Sequence, residues 1–151
     1  MIKRTYLITL IWIALLGSAL AATPKEADHR HFNLNEDHKV HDIGSQIGYY
    51  EDKSATITLN DAINLNQSSA FSIANGESPS FTSTNSAYWF HFSAINNSPE
   101  QKEWYARVNY PLLDEIQFNI VRFDKTTTIN TGDASTFDTR PVDHQYFIFP
   151  I

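Results

Sequence analysis

Apolar positions in this 151-residue chain follow two regimes. Tyr6 to Leu16 is a nearly continuous apolar run of 11 residues. From Ile47 onward, Tyr, Phe, Trp, Ile, Val and Thr gather in short runs separated by Asn, Ser, Asp, Gly and Pro clusters, which is the pattern of an all-β domain. Between the two regimes, residues 22–46 are polar and rich in His, Asp, Glu and Asn. Their few apolar residues (Phe32, Leu34, Val40, Ile43) keep no period for long, so this stretch reads as a linker.

The best-defined strand is Ala87 to Ala94, bounded by Ser, Thr and Asn before it and Asn96-Asn97-Ser98-Pro99 after it. Alternation puts Tyr88, Phe90 and Phe92 on one face, expected to be core, and Trp89, His91 and Ser93 on the other, open to solvent or a ligand. Trp104 to Tyr110 is a second strand, ended by Pro111, which cannot donate to a ladder. In a third, running to about Phe123, Ile116, Phe118 and Ile120 alternate with Glu115, Gln117 and Asn119, so one side is buried and one wet. Tyr146 to Pro150 begins another. Ala55–Leu59 and Ala70–Ile73 are weaker strand candidates, and Leu59 to Ile63 is a candidate helical turn capped by Asn60.

The amino-terminal run has the parts of a secretory signal peptide in order: Lys3 and Arg4, the apolar stretch, then Gly17-Ser18-Ala19-Leu20-Ala21-Ala22. Its 11 residues fall short of the about 20 needed to span a bilayer, so residues 1–21 are expected to be cleaved after Ala21 and the remainder to work in the periplasm. Losing Lys3 and Arg4 leaves nine of the 11 basic residues against 17 acidic ones, a formal charge of −8. That balance argues against nucleic acid as a partner, since no basic stripe is present to meet phosphates. With no cysteine the exported domain has no disulfide framework and rests on its own core. The run Tyr146 to Ile151 looks like a strand entering a core, whereas domains usually finish with polar residues. This predicts that the sandwich is truncated at its carboxyl end.

Several segments, taken in order, carry a resemblance. They are Gly48-Tyr49-Tyr50-Glu51-Asp52 with Ile57-Thr58-Leu59, Tyr88 to Phe92 with Asn96-Asn97, Tyr110-Pro111-Leu112-Leu113-Asp114-Glu115-Ile116, Thr131-Gly132-Asp133, Arg140-Pro141 and Phe149-Pro150-Ile151. Residues 47–151 thereby resemble the second type of extracellular domain of the bacterial seven-transmembrane receptors with diverse intracellular signalling modules. The resemblance implies a jelly-roll-like β-sandwich and a sensor for a small-molecule ligand, such as a carbohydrate, in a receptor whose full-length form sits in the inner membrane. Its membrane helices and output module are not in this chain, so any membrane link would run through those segments. His91 stands where the family generally has a basic residue, usually arginine, which would make a contact there pH-dependent.

Sugars are gripped by aromatic faces together with polar groups that fix their hydroxyls. Trp89, His91, Tyr105, Arg107 and Arg140 supply both kinds and are the candidate ligand-binding residues. His29, His31, His38 and His41 form the densest group of imidazoles, weak candidates for a metal site because the polar arm has no evident core to fix their geometry. No cofactor is expected. An enzyme is not expected either: there is no cysteine nucleophile, phosphate-cradling glycine loop or Gly-x-Ser-x-Gly elbow. Two other readings remain open, a stand-alone secreted carbohydrate-binding module and a periplasmic metal-binding protein that uses the histidine arm.

Overall fold

The computed structural model describes residues 31–35, 40–74, 76, 78–81, 84–101, 103–123 and 125–151. The expected signal peptide at 1–21, His29 and His38 lie outside them. The fold is β-rich: the described residues hold nine strands and one α-helix, in two compact units. One unit contains the described parts of Gly48–Ile73 and Phe81–His91. The other contains those of Arg30–Ile47, Ala74–Ser80 and Phe92–Ile151.

Chain order begins with β1 (His31–Leu34), β2 (Gly48–Asp52), helix α1 (Leu59–Gln67), β3 (Ser72–Ile73) and β4 (Ala87–His91). In the first unit β2 is the central strand, antiparallel to both β3 and β4, with five pairs running from Gly48↔His91 to Asp52↔Ala87. Directly paired residues share a face. Gly48, Tyr50, Asp52, Ala87, Trp89 and His91 therefore lie on one side of the sheet, and Tyr49, Glu51, Tyr88 and Phe90 on the other. Phe71 is buried beneath the first side, its ring centroid 5.8 Å from Tyr50 and 6.4 Å from His91.

The strand expected at Ala55–Leu59 does not form, because two side chains claim this stretch for a turn and a helix cap. The buried carboxylate of Asp52 accepts from the Ser54 amide at 3.0 Å, the Ser54 hydroxyl at 2.6 Å and the Ile57 amide at 2.9 Å. Thr58, rather than Asn60, then caps α1. Its hydroxyl oxygen accepts from the Asp61 amide while the Asp61 carboxylate accepts from the Thr58 amide, a reciprocal capping box. Asn60 lies two residues past the cap, already inside the helix, and cannot make that exchange. The helix ends at Gln67, with Ser68 as its C-cap, followed by Ser69 at φ 58°.

The second unit continues with β5 (Ser93–Asn96), β6 (Tyr105–Val108), β7 (Ile116–Arg122), β8 (Lys125–Thr131) and β9 (Phe147–Pro150). Inside the stretch expected as a polar linker, β1 runs parallel to β5, and Leu34 is buried. The continuous strand expected from Ala87 to Ala94 is broken at Phe92, giving β4 and β5 separately. β6 and β9 are antiparallel, and Trp104 and Ile151 exchange backbone bonds at their end. β7 and β8 form a hairpin with seven pairs, its apolar face carrying Ile116, Phe118, Ile120 and Ile129. Phe147 and Phe149 are the largest fully buried side chains, and Phe118 stacks on Phe149. At the base of the hairpin, Gly132 (φ 154°) lies so close to the Leu113–Glu115 segment that a Cβ there would overlap the Asp114 carbonyl oxygen. The amides of Asp133 and Ala134 bond to the carbonyls of Leu113 and Asp114 at 2.7 and 3.1 Å. Only glycine permits this approach.

Candidate aromatic binding face

The outward side of the β2–β4 pair carries an aromatic cluster. Phe81, from the segment preceding β4, stacks on Tyr88 with ring centroids 3.8 Å apart and 18° between planes. It lies 5.5 Å from Tyr49 and 6.1 Å from Phe90. Phe90 was expected in the core, yet it is 48% exposed. Alternation determines that two sets of side chains part company, but not which set is covered. Here Phe71 and the Asp52 turn lie on the other side.

A carboxylate borders the rings. Glu51 is paired with Tyr88 across the ladder, and its Oε1 accepts from the Ser86 hydroxyl at 2.8 Å. Ser86 is in turn held by Thr84, whose hydroxyl oxygen accepts from the Ser86 amide at 3.1 Å. Burial, reinforced by the Glu51 charge and by the hydrogen bond that the Tyr88 phenol donates to that carboxylate, raises the Tyr88 pKa above the ordinary phenol value. Glu51 is thus fixed by two donors, and an ionised carboxylate has lone pairs for further ones. Chemically, the face offers flat apolar rings beside an oriented anionic acceptor.

The residues singled out from sequence are distributed differently. Trp89 and His91 are half-buried on the reverse side of β4, His91 edge-on to Phe71. The Trp89 indole nitrogen is buried and meets no acceptor among the described residues. In the other unit, Tyr105 and Arg107 share the exposed face of β6, and the Arg107 guanidinium lies 5.9 Å from the Tyr146 ring. Arg140 serves the same stretch of chain. Its Nη1 donates to the carbonyls of His144 and Gln145 at 3.0 and 2.8 Å, and its guanidinium lies over Phe147 (4.4 Å) and Phe137 (4.8 Å). Of the histidine candidates, His31 is exposed in β1 and His41 is edge-on to Trp104. Among the described residues no three His, Asp or Glu side chains gather as a metal-holding group.

Of the aromatic face, alternation assigns Tyr88 and Phe90 to the core, and Tyr49 and Phe81 are not among the binding residues expected from sequence. Tyr49 was within reach, lying in the Gly48-Tyr49-Tyr50 segment opposite Phe90. Phe81 sits in no strand, and no periodicity marks it.

The sequence model of the family described as 7TMR-DISM extracellular 2 matches residues 44–151. The chain belongs to this family. The 7TMR-DISM extracellular 2 domain is a sensor-type module outside the membrane in seven-transmembrane receptors, a receptor part rather than an enzyme family. No curated protein and no solved structure matches the chain. None of the helices among the described residues is long and apolar enough to cross a membrane.

Proposed function

We propose that residues 44–151 are the ligand-sensing domain of a membrane signalling receptor, acting in the periplasm, and that their strands belong to a jelly-roll-like sandwich. The ligand is a carbohydrate or a similar hydroxyl-rich small molecule. One observation carries this reading: the exposed rings of Phe81 and Phe90, with Tyr49 and Tyr88, lie beside the oriented Glu51 carboxylate. The C–H face of a pyranose stacks on such rings, and its hydroxyls donate to a fixed acceptor. Trp89 and His91 support the cluster from behind, on the reverse side of β4. Tyr105 and Arg107 present a smaller aromatic and cationic surface on the other unit, while the carbonyl and ring contacts of Arg140 give it a structural role. Signalling requires that ligand contacts differ between two receptor states, because only that difference shifts their balance.

A saccharide array probed with the full chain tests the reading. Bound sugars are then titrated calorimetrically against Phe90→Ala and Glu51→Gln. Each substitution is expected to weaken binding about tenfold with the unfolding temperature of Phe90→Ala unchanged. Binding that both variants retain in full, or an array without a single binder, overturns the proposal.

A further inference from the structure

The tip of the β7–β8 hairpin presents a phenylalanine under unfavourable conditions. Arg122 pairs with Lys125, so Phe123 and Asp124 alone connect the strands. Two-residue connections of a twisted pair favour positive φ, and hence Asn-Gly or Asp-Gly. Phe123 adopts φ 54° and is fully exposed. A single exposed apolar side chain is ordinary. A bulky one held in the left-handed region is not, because its Cβ crowds the backbone there and Asn, Asp or Gly meets the same turn more easily. Neither packing nor turn chemistry selects phenylalanine at this position.

Its neighbours show what does. Val121, next along β7, is also more than half exposed, and Arg122 and Lys125 are both exposed at the last rung of the ladder. The tetrad Arg122-Phe123-Asp124-Lys125 carries two cations against one carboxylate, in a chain with 17 acidic and 11 basic side chains. An aromatic flanked by long cationic side chains suits a bilayer interface. The ring is buried at the boundary of headgroups and acyl chains, and the cations reach back to the phosphates. A bilayer adjoins this domain in a seven-transmembrane receptor.

We propose that the β7–β8 tip docks on an anionic lipid surface, with Phe123 inserted and Arg122 and Lys125 on lipid phosphates. This surface is separate from the aromatic face of β2 and β4 and does not rest on the carbohydrate reading.

The absence of cysteine permits a site-specific test. A polarity-sensitive dye is placed on Phe123→Cys and, separately, on Gln117→Cys, an exposed position near the other end of the same ladder. Each labelled full chain is mixed with vesicles of phosphatidylglycerol and phosphatidylcholine, or of phosphatidylcholine alone. Emission from position 123 is expected to shift to the blue with the anionic vesicles and less with the neutral ones, with no shift from position 117. An unlabelled variant guards against a disturbed turn. Phe123→Asn suits the backbone, so it is expected to raise the unfolding temperature while weakening vesicle association by about tenfold to a hundredfold. No shift at position 123, or association of Phe123→Asn equal to that of the parent, overturns the proposal. Equal association with both vesicle types overturns the role given to Arg122 and Lys125.

Discussion

The Phe118 ring lies flat on Phe149, with centroids 4.1 Å apart and 2° between planes. This stack anchors the β7–β8 hairpin to the β6–β9 pair, and Phe149 is completely enclosed. Phe149→Ala removes a large buried ring and leaves a cavity, at an expected cost of about 3–5 kcal/mol. Phe149→Leu should cost less than half of that. Urea unfolding of the full chain measures both, and a loss below about 1 kcal/mol for the alanine variant would contradict the core assigned here.

At Gly132 the constraint comes from backbone rather than side chain. A methyl group there collides with the Asp114 carbonyl, so Gly132→Ala must push the Leu113–Glu115 segment away from the hairpin base. The expected loss is on the order of 2 kcal/mol, with faster amide exchange at Asp133 and Ala134. Unchanged exchange at those two amides would show that the close approach is not maintained in solution.

Removing the Thr58 hydroxyl leaves the first turn of α1 without its cap. Thr58→Ala is expected to lower stability by about 1 kcal/mol, and Thr58→Ser to restore most of it. Equal stability of the two variants rules out the capping box as the cause.

Acid should find the same region. For Asp52, burial opposes ionisation but is outweighed by donors from Ser54, Ile57 and Ala55. For Asp61, the Thr58 hydroxyl and amide dominate, so both carboxyls titrate below their ordinary value. A lowered folded pKa means that the unfolded chain binds the proton more readily. The stabilisation is therefore complete above about pH 4 and disappears as the pH falls through the folded values. Unfolding followed from pH 6 to pH 2 should show this loss, flattened in Asp52→Asn. An acid limb identical in that variant would contradict the assignment.

Tyr88 gives the opposite pH dependence. Its raised pKa means that the folded chain holds the phenolic proton more tightly, so the contribution is present below about pH 10 and is lost as the pH rises through the folded value. Glu51→Gln removes the charge responsible for part of the shift. Ultraviolet titration of phenolate should then show one tyrosine ionising earlier than in the parent.

The strands most legible in the sequence are those whose alternation is apolar on one side, as in Ile116, Phe118 and Ile120 of β7 and in the aromatic β9. β8 escaped notice because Lys125-Thr126-Thr127-Thr128 shows no apolar alternation. Its extended form comes from pairing with β7 and from β-branched threonines, the first of which no periodicity reports. β1 was hidden for a related reason: its partner β5 lies about sixty residues along the chain. In the candidate site, the residue types were readable and their sidedness was not. Trp89 and His91 looked like the open face of β4 because they are less apolar than Phe90. The cover that decides the matter comes from Phe71 and the Asp52 carboxylate, both distant in sequence from β4.

The pairing of β1 with β5 also bears on where this protein is to be cut for expression. The family match opens at residue 44, downstream of His31–Leu34. A gene fragment begun at that boundary would strip β5 of its parallel neighbour, together with the Asn97–Leu34 and Asn97–Asn33 bonds that close the pair. It would leave Ile95 on a raw strand edge, open to recruitment by another molecule. Fragments for crystallisation or binding work are better begun upstream of His31, because here the unit of ancestry is shorter than the unit of folding.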